Sequence, residues 1–209
     1  MPASAVATRA RIRDCARRLM NERGFAGVSV RSIAAAAGIA HGNLCYHYAN
    51  VERIVEALIE ALAADGDARL AQVDLSAPPL RLLVDVQRAV FTSMVEYRFF
   101  FLDYVAIVRA LPQLRPQLAA IKQRREQQFL GALAGLRAAG LMREEARRGA
   151  DRTLFAQYDL VADFWISQAE VAFGGPTAAA QRHYERLAFE LLTPQLTDEG
   201  LRQYHKLWK

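Results

Sequence analysis

The chain has 209 residues, 53% of them hydrophobic, and a net charge of +5, yet no apolar run approaches the roughly 20 residues that a membrane-spanning helix needs; a helical membrane protein is excluded and a soluble globular one expected. Two cysteines, Cys15 and Cys45, cannot build a disulfide framework, and the N-terminus has neither the apolar run nor the cleavage site of a secretory signal, so a reducing cytoplasm is the expected compartment. The whole charge excess sits in residues 1–48, where Arg9, Arg11, Arg13, Arg17, Arg18, Arg23 and Arg31 oppose only Asp14 and Glu22.

Helical periodicity runs through the sequence, punctuated by glycine and proline and interrupted by no run of strands, so an all-α fold is expected. Residues 8–23 place Ile12, Cys15, Ala16, Leu19 and Met20 on one stripe with arginines on the outer faces, and Gly24 is a natural stop. Asp14, Glu22 and the continuation of the stripe past the basic part separate this helix from an organellar transit peptide. Ser29 is a good N-cap for a short second helix over about 30–37, whose alanines allow close packing. A turn at Gly38, Ile39 and Ala40 leads into a third helix over about 41–47. Asn50 then caps a fourth, from about 51 to 70, with Ile54, Leu58, Ile59 and Leu62 on one side.

Two short helices joined by a Gly-led turn make a helix-turn-helix, in which the second helix can lie in the major groove of DNA while the first crosses the backbone. A basic head on a neutral body suits that reading, because neutralising phosphates releases counterions; the competing reading of the charge is a solvated helix face. The crowd of His41, Asn43, Cys45, Tyr46 and His47 allows two other readings. His41 and Cys45 stand four apart and share a helix face, a two-ligand metal spacing, but a closed zinc site needs about four ligands and His47 is rotated away. A Cys-His nucleophile pair on so short an exposed helix lacks a buried orienting carboxylate. With no phosphate loop, metal-ligand set or nucleophile-base spacing elsewhere, no enzyme, cofactor or metal is expected.

Beyond the head, Pro78-Pro79 opens a fifth helix. In "YRFFFLDYVAIVRALP" the residues Phe99, Phe100, Phe101 and Tyr104 leave almost no polar face, which predicts a helix buried nearly all round or lining a cavity, with Asp103 and Arg109 as polar exceptions. Residues from about 114 to 139 read as a long amphipathic helix whose "KQRRE" is a solvated patch. Two further helices, over about 152–173 and 177–193, are broken by Gly174-Gly175-Pro176. The first carries Phe155, Tyr158, Ala162, Trp165, Ile166, Ala169 and Phe173 on a broad stripe, extended by Leu160, Val161, Phe164, Val171 and Ala172, so it must bury on two sides. A short final helix closes the chain. Asp103, Asp159 and Asp163 sit in apolar stretches and need partners, either internal salt bridges or a cationic ligand.

The stretch "GFAGVSVRSIAAAAGIAHGNLCYHYANVERIVEALIE" resembles the DNA-binding head of the TetR family of bacterial transcriptional regulators. The likeness rests on Gly24-Phe25 after the first helix, the Ser29 cap, Ile33-Ala34, Ala37-Gly38-Ile39, Gly42, Leu44, the aromatic-rich end and Glu52 after a cap. It is strong over about the first fifty to sixty residues and loose beyond. It implies a helix-turn-helix DNA-binding domain over residues 1–50 and a helical ligand-binding and dimerisation domain over 51–209. His41, Gly42, Asn43, Tyr46 and His47 then belong to the groove-entering helix, with His41 and Asn43 at base edges and Gly42 allowing close approach. Ser29 and Arg31 are expected at phosphates, with Arg53 a further candidate. Cys45, Val51 and Ala40 depart from the family's usual phosphate-contacting tyrosine, lysine and serine cap, which leaves Arg53, Tyr46 or the first-helix arginines to compensate.

The resemblance further implies a homodimeric repressor in the bacterial cytoplasm, bound to a palindromic operator in double-stranded DNA and released by a small, largely apolar effector. Phe164, Ala169, Ala172, Tyr184, Leu187 and Leu191 are the candidate dimer contacts. Phe91, Met94, Phe101, Tyr104, Phe129, Tyr158 and Trp165 are the candidate effector lining, against the plainer reading of aromatics at helical spacing as core. A nonspecific or architectural DNA binder, or a ligand-dependent activator of the same fold, are the alternatives.

Overall fold

The computed structural model describes residues 3–208. In chain order the helices are α1 (Ala3–Arg23), α2 (Val30–Ala36), α3 (His41–His47), α4 (Val51–Leu70), α5 (Pro79–Glu96), α6 (Arg98–Leu102), α7 (Tyr104–Ala110), α8 (Arg115–Ala138), α9 (Ala150–Phe173), α10 (Ala178–Glu190) and α11 (Asp198–Leu207). Short 3-10 turns at Pro112–Leu114 and Thr193–Gln195 join some of them. Among the described residues, extended backbone pairs only at an isolated antiparallel bridge between Met142 and Leu196.

Local chemistry sets the helix ends. Gly24, at φ +74, terminates α1 in a backbone conformation that costs glycine little. Ser29 and Ser32 form a reciprocal capping box at α2: the Ser29 hydroxyl accepts the Ser32 N–H at 3.2 Å and the Ser32 hydroxyl accepts the Ser29 N–H at 2.9 Å. Asn50 caps α4 by accepting the Arg53 N–H at 3.0 Å, while Thr177 and Thr197 cap α10 and α11.

Packing divides the chain into two compact units that do not follow chain order, Met1–Asp67 with Glu96–Arg115, and Ala68–Val95 with Pro116–Lys209. In the first unit Ile12, Ala16, Ile33, Leu44, Ile54 and Val55 are fully buried. In the same unit α6 packs against α1. Asn21 donates to the Glu96 carbonyl at 2.8 Å and accepts the Phe99 N–H at 3.0 Å, and Arg17 donates to the same carbonyl at 3.2 Å.

The expectation of one aromatic helix buried nearly all round is corrected here. The segment breaks at Asp103, whose N–H closes α6 on the Phe99 carbonyl and whose carboxylate is spent on the Phe25 N–H. Phe99, Phe100 and Phe101 are buried, but α7 turns Val105 and Arg109 to solvent.

The second unit has its own core, built from Leu80, Val84, Phe129, Leu133, Leu136, Leu154, Phe189 and Tyr204 among others. Its buried and half-buried carboxylates find internal partners: Lys122 bridges half-buried Asp159 and buried Asp163, the latter at 2.7 Å, and buried Glu185 takes Arg88 at 3.4 Å. Burial pushes the Asp163 carboxyl up, against the pull of Lys122.

Candidate nucleic-acid interface

The geometry of α3 sorts its side chains. Leu44 is fully buried and Tyr48, which closes the helix by donating its N–H to the Leu44 carbonyl at 2.9 Å, is 3% exposed. At 100° per residue the opposite face is formed by Gly42, Asn43 and Tyr46. All three are exposed, Tyr46 to 84%. His41 and Cys45 lie along one flank, the thiol 3.8 Å from the nearer ring nitrogen, and half-buried His47 lies along the other, its ring edge against Tyr46.

Gly42 is informative because an added Cβ would meet nothing within 4 Å. Among the described residues no contact requires glycine there, which fits a backbone that something outside the chain must approach closely.

The phosphate candidates separate. Arg31 is exposed at the start of α2, where the first amides of a helix favour anions. The Ser29 hydroxyl is engaged in the capping box. Arg53 is exposed but pairs with Glu56 at 2.7 Å, and Glu56 also accepts from Gln113 at 2.9 Å. The Gln113 bond, helped by Arg53 and opposed by burial, holds the Glu56 carboxyl below its ordinary range. Ala40 begins α3 without a side-chain cap, as expected from the missing serine.

The remaining candidates fall in several places. Phe91 stacks on Trp165, ring centroids 5.1 Å apart and planes 5° from parallel, with Met94 also buried. Phe129 packs on Tyr158 and Phe155 in the same unit. Phe101 and Tyr104 belong to the first unit and pack around Phe100. An open depression of about 430 Å³ in the second unit is lined by Arg69, Gln72, Val73, Asp74, Asp85, Arg88, Ala89 and Thr92, a mixed lining that includes none of the aromatic candidates. Phe164, Ala172 and Leu187 are exposed and Leu191 is half-buried, whereas Ala169 and Tyr184 are buried inside the protomer. Leu160 and Val171, at 62% and 86% exposure, join Phe164 on one α9 stripe. Among the described residues no group of three or more His, Cys, Asp or Glu side chains could hold a metal ion.

The contacts of Asn21 and Asp103 that tie α1 to the α6 region were not legible in the sequence, because their partners stand 75 to 78 residues away. The only signal was an aspartate in an otherwise apolar stretch.

Both halves of the chain match known proteins. A family model described as bacterial regulatory proteins of the tetR family matches residues 12–58, and one described as a TetR bacterial transcriptional repressor matches residues 62–204. The HTH-type transcriptional repressor KstR2 of Mycobacterium tuberculosis is 29% identical over 195 residues, covering 92% of this chain and 94% of its own. The solved structure of that ketosteroid transcriptional regulator superposes with a TM-score of 0.67 at 21% identity, over 91% of this chain and 95% of its own. A TetR-family transcriptional regulator from Marinobacter aquaeolei VT8 superposes over 100% of this chain and 98% of its own, with a TM-score of 0.85 at 22% identity. Head and body are thus both matched, and the chain belongs to the TetR family of bacterial transcriptional regulators and is itself a DNA-binding transcriptional regulator.

Proposed function

We propose that the protein is a homodimeric repressor that binds a palindromic operator in the bacterial cytoplasm and is released by a small, largely apolar effector. The observation that carries the DNA half of this reading is the exposed face of Gly42, Asn43 and Tyr46 on a short helix whose other side is fixed in the core by Leu44 and Tyr48. Asn43 can pair with an adenine edge, His41 can donate or accept at a neighbouring base, and Arg31 meets phosphate. Ser29 contributes by fixing the end of α2, and Arg53, Tyr46 and His47 supply the flanks.

The exposed apolar stripe of Leu160, Phe164 and Val171 on α9, with Leu187 on α10, supports a twofold dimer in which these helices pair with their copies. Ala172 and Leu191 flank that surface, and Ala169 and Tyr184 support it from beneath. Two recognition helices about 34 Å apart then match half-sites in successive turns of the major groove.

Phe91, Met94, Trp165, Phe129 and Tyr158 are the proposed effector lining in the second unit; the relative named as a ketosteroid regulator supports an apolar skeleton. Binding releases DNA only if the effector prefers the arrangement that does not fit the operator. Titration of a bound operator duplex with apolar ligands tests this. Loss of binding at saturating ligand supports induction, and unchanged affinity across such ligands contradicts it while leaving DNA binding intact.

A further inference from the structure

We propose that Arg9 is a backbone-phosphate contact of the DNA head, positioned by the ring of Tyr48; the proposal rests on the reading of α3 as the groove-entering helix. Arg9 lies in the early turns of α1, and its guanidinium carbon sits 4.7 Å from the centroid of the Tyr48 ring. Tyr48 directly follows α3. The stack therefore places a fixed positive charge beside the end of the recognition helix, far from it in sequence.

The form of the contact matters. A guanidinium lying over a ring spends its flat face, while its N–H donors point outward in its own plane and stay available to phosphate oxygens. Three arginines of the head do spend a donor inside the chain, Arg17 on the Glu96 carbonyl at 3.2 Å, Arg18 on the Cys15 sulfur at 3.3 Å, and Arg53 on Glu56 at 2.7 Å. Among the described residues no carboxylate engages Arg9. A side chain already held in one geometry loses less freedom on binding than a free one. The Tyr48 hydroxyl is buried and makes no hydrogen bond among the described residues, so the ring alone does the positioning.

The test uses the full-length protein, a duplex of about 30 base pairs recovered by selection from random DNA, and an unrelated duplex of the same length, each titrated across a salt series. Arg9→Ala is expected to weaken both duplexes by the same factor, about fivefold to tenfold, and to reduce the slope of log affinity against log salt by about 1. Tyr48→Phe keeps affinity and slope, and Tyr48→Leu lowers both as Arg9→Ala does. Should Tyr48→Leu melt below the assay temperature, Arg9→Lys carries the distinction: it keeps the charge and the slope but gives up the planar face and part of the affinity. An unchanged slope in Arg9→Ala overturns the proposal, as does an effect confined to the melting temperature. If selection enriches no sequence, the operator reading fails, and the slope on the unrelated duplex still decides the role of Arg9.

Discussion

The Asp103 carboxylate accepts a 2.6 Å hydrogen bond from the backbone N–H of Phe25, a residue 78 positions earlier, and so fixes the loop after α1 onto the turn between α6 and α7. Gly24 beside it has no room to spare, because an added Cβ would stand 3.2 Å from the same carboxylate oxygen at a positive φ. Asp103→Ala is expected to destabilise the protein by about 1–3 kcal/mol by stranding the Phe25 N–H. Asp103→Asn, which keeps an acceptor, should cost less. Urea unfolding of the two variants checks this, and equal stability to the parent would remove the bond from the account.

The α3 face allows a three-way comparison. Asn43→Ala should cost about 1–3 kcal/mol on the preferred duplex and relax preference at one position, whereas Arg31→Ala should weaken every duplex about equally. Gly42→Ala should leave the free protein as stable or more stable, by up to about 1 kcal/mol, because the site is open and alanine favours a helix. It should nonetheless weaken DNA binding, since the added methyl meets the duplex. Identical profiles for Asn43→Ala and Arg31→Ala, or a Gly42→Ala protein that binds as well as the parent, would show that this face does not read bases.

Association is best probed at residues exposed in the protomer. Val171→Glu and Leu187→Glu place charge on the apolar stripe without touching the core, so monomers with unchanged helical content are expected. Light scattering gives the mass. A dimer that survives both changes would move the interface to another surface. Ala169 is a poor probe, because it is fully buried and its replacement would disturb the packing of the protomer itself.

Tyr204 predicts a pH effect. Burial, reinforced by its bond to Glu190, pushes its hydroxyl up from about 10 to about 12. The unfolded chain loses this proton first, so between those values the folded state holds more protons and stability falls as pH rises. Below the window Tyr204 contributes no slope. Tyr204→Phe should flatten the alkaline fall without abolishing it, since burial also raises Tyr97 and Tyr158. Thermal melts between pH 9 and 12 compare the two proteins, and parallel curves would refute the assignment.

The head was legible because its information is local. Ser29, Gly38, Asn50 and the spacing of Ile33 and Leu44 fix helix ends and the buried side within a few residues; α3 falls where the Gly38-led turn places it and α4 where the Asn50 cap does. The body's helices were legible for the same reason. Their pairing was not, because Lys122 with Asp159 and Asp163, or Gln87 with Glu185, join residues tens of positions apart. The aromatic run failed for a related reason: periodicity took it as one continuous helix and could not foresee that Asp103 would turn the chain to satisfy Phe25. Ala169 and Phe164 share an apolar helix, and only the structure shows that the first is buried within the protomer and the second exposed.

The most direct test of the central claim is selection of bound duplexes from random DNA by the purified protein at near-physiological salt, where nonspecific binding is suppressed. The account predicts an enriched palindrome with half-sites about one helical turn apart. A pool that stays random while the protein still binds it would contradict sequence-specific recognition by α3 and leave a nonspecific DNA binder in its place.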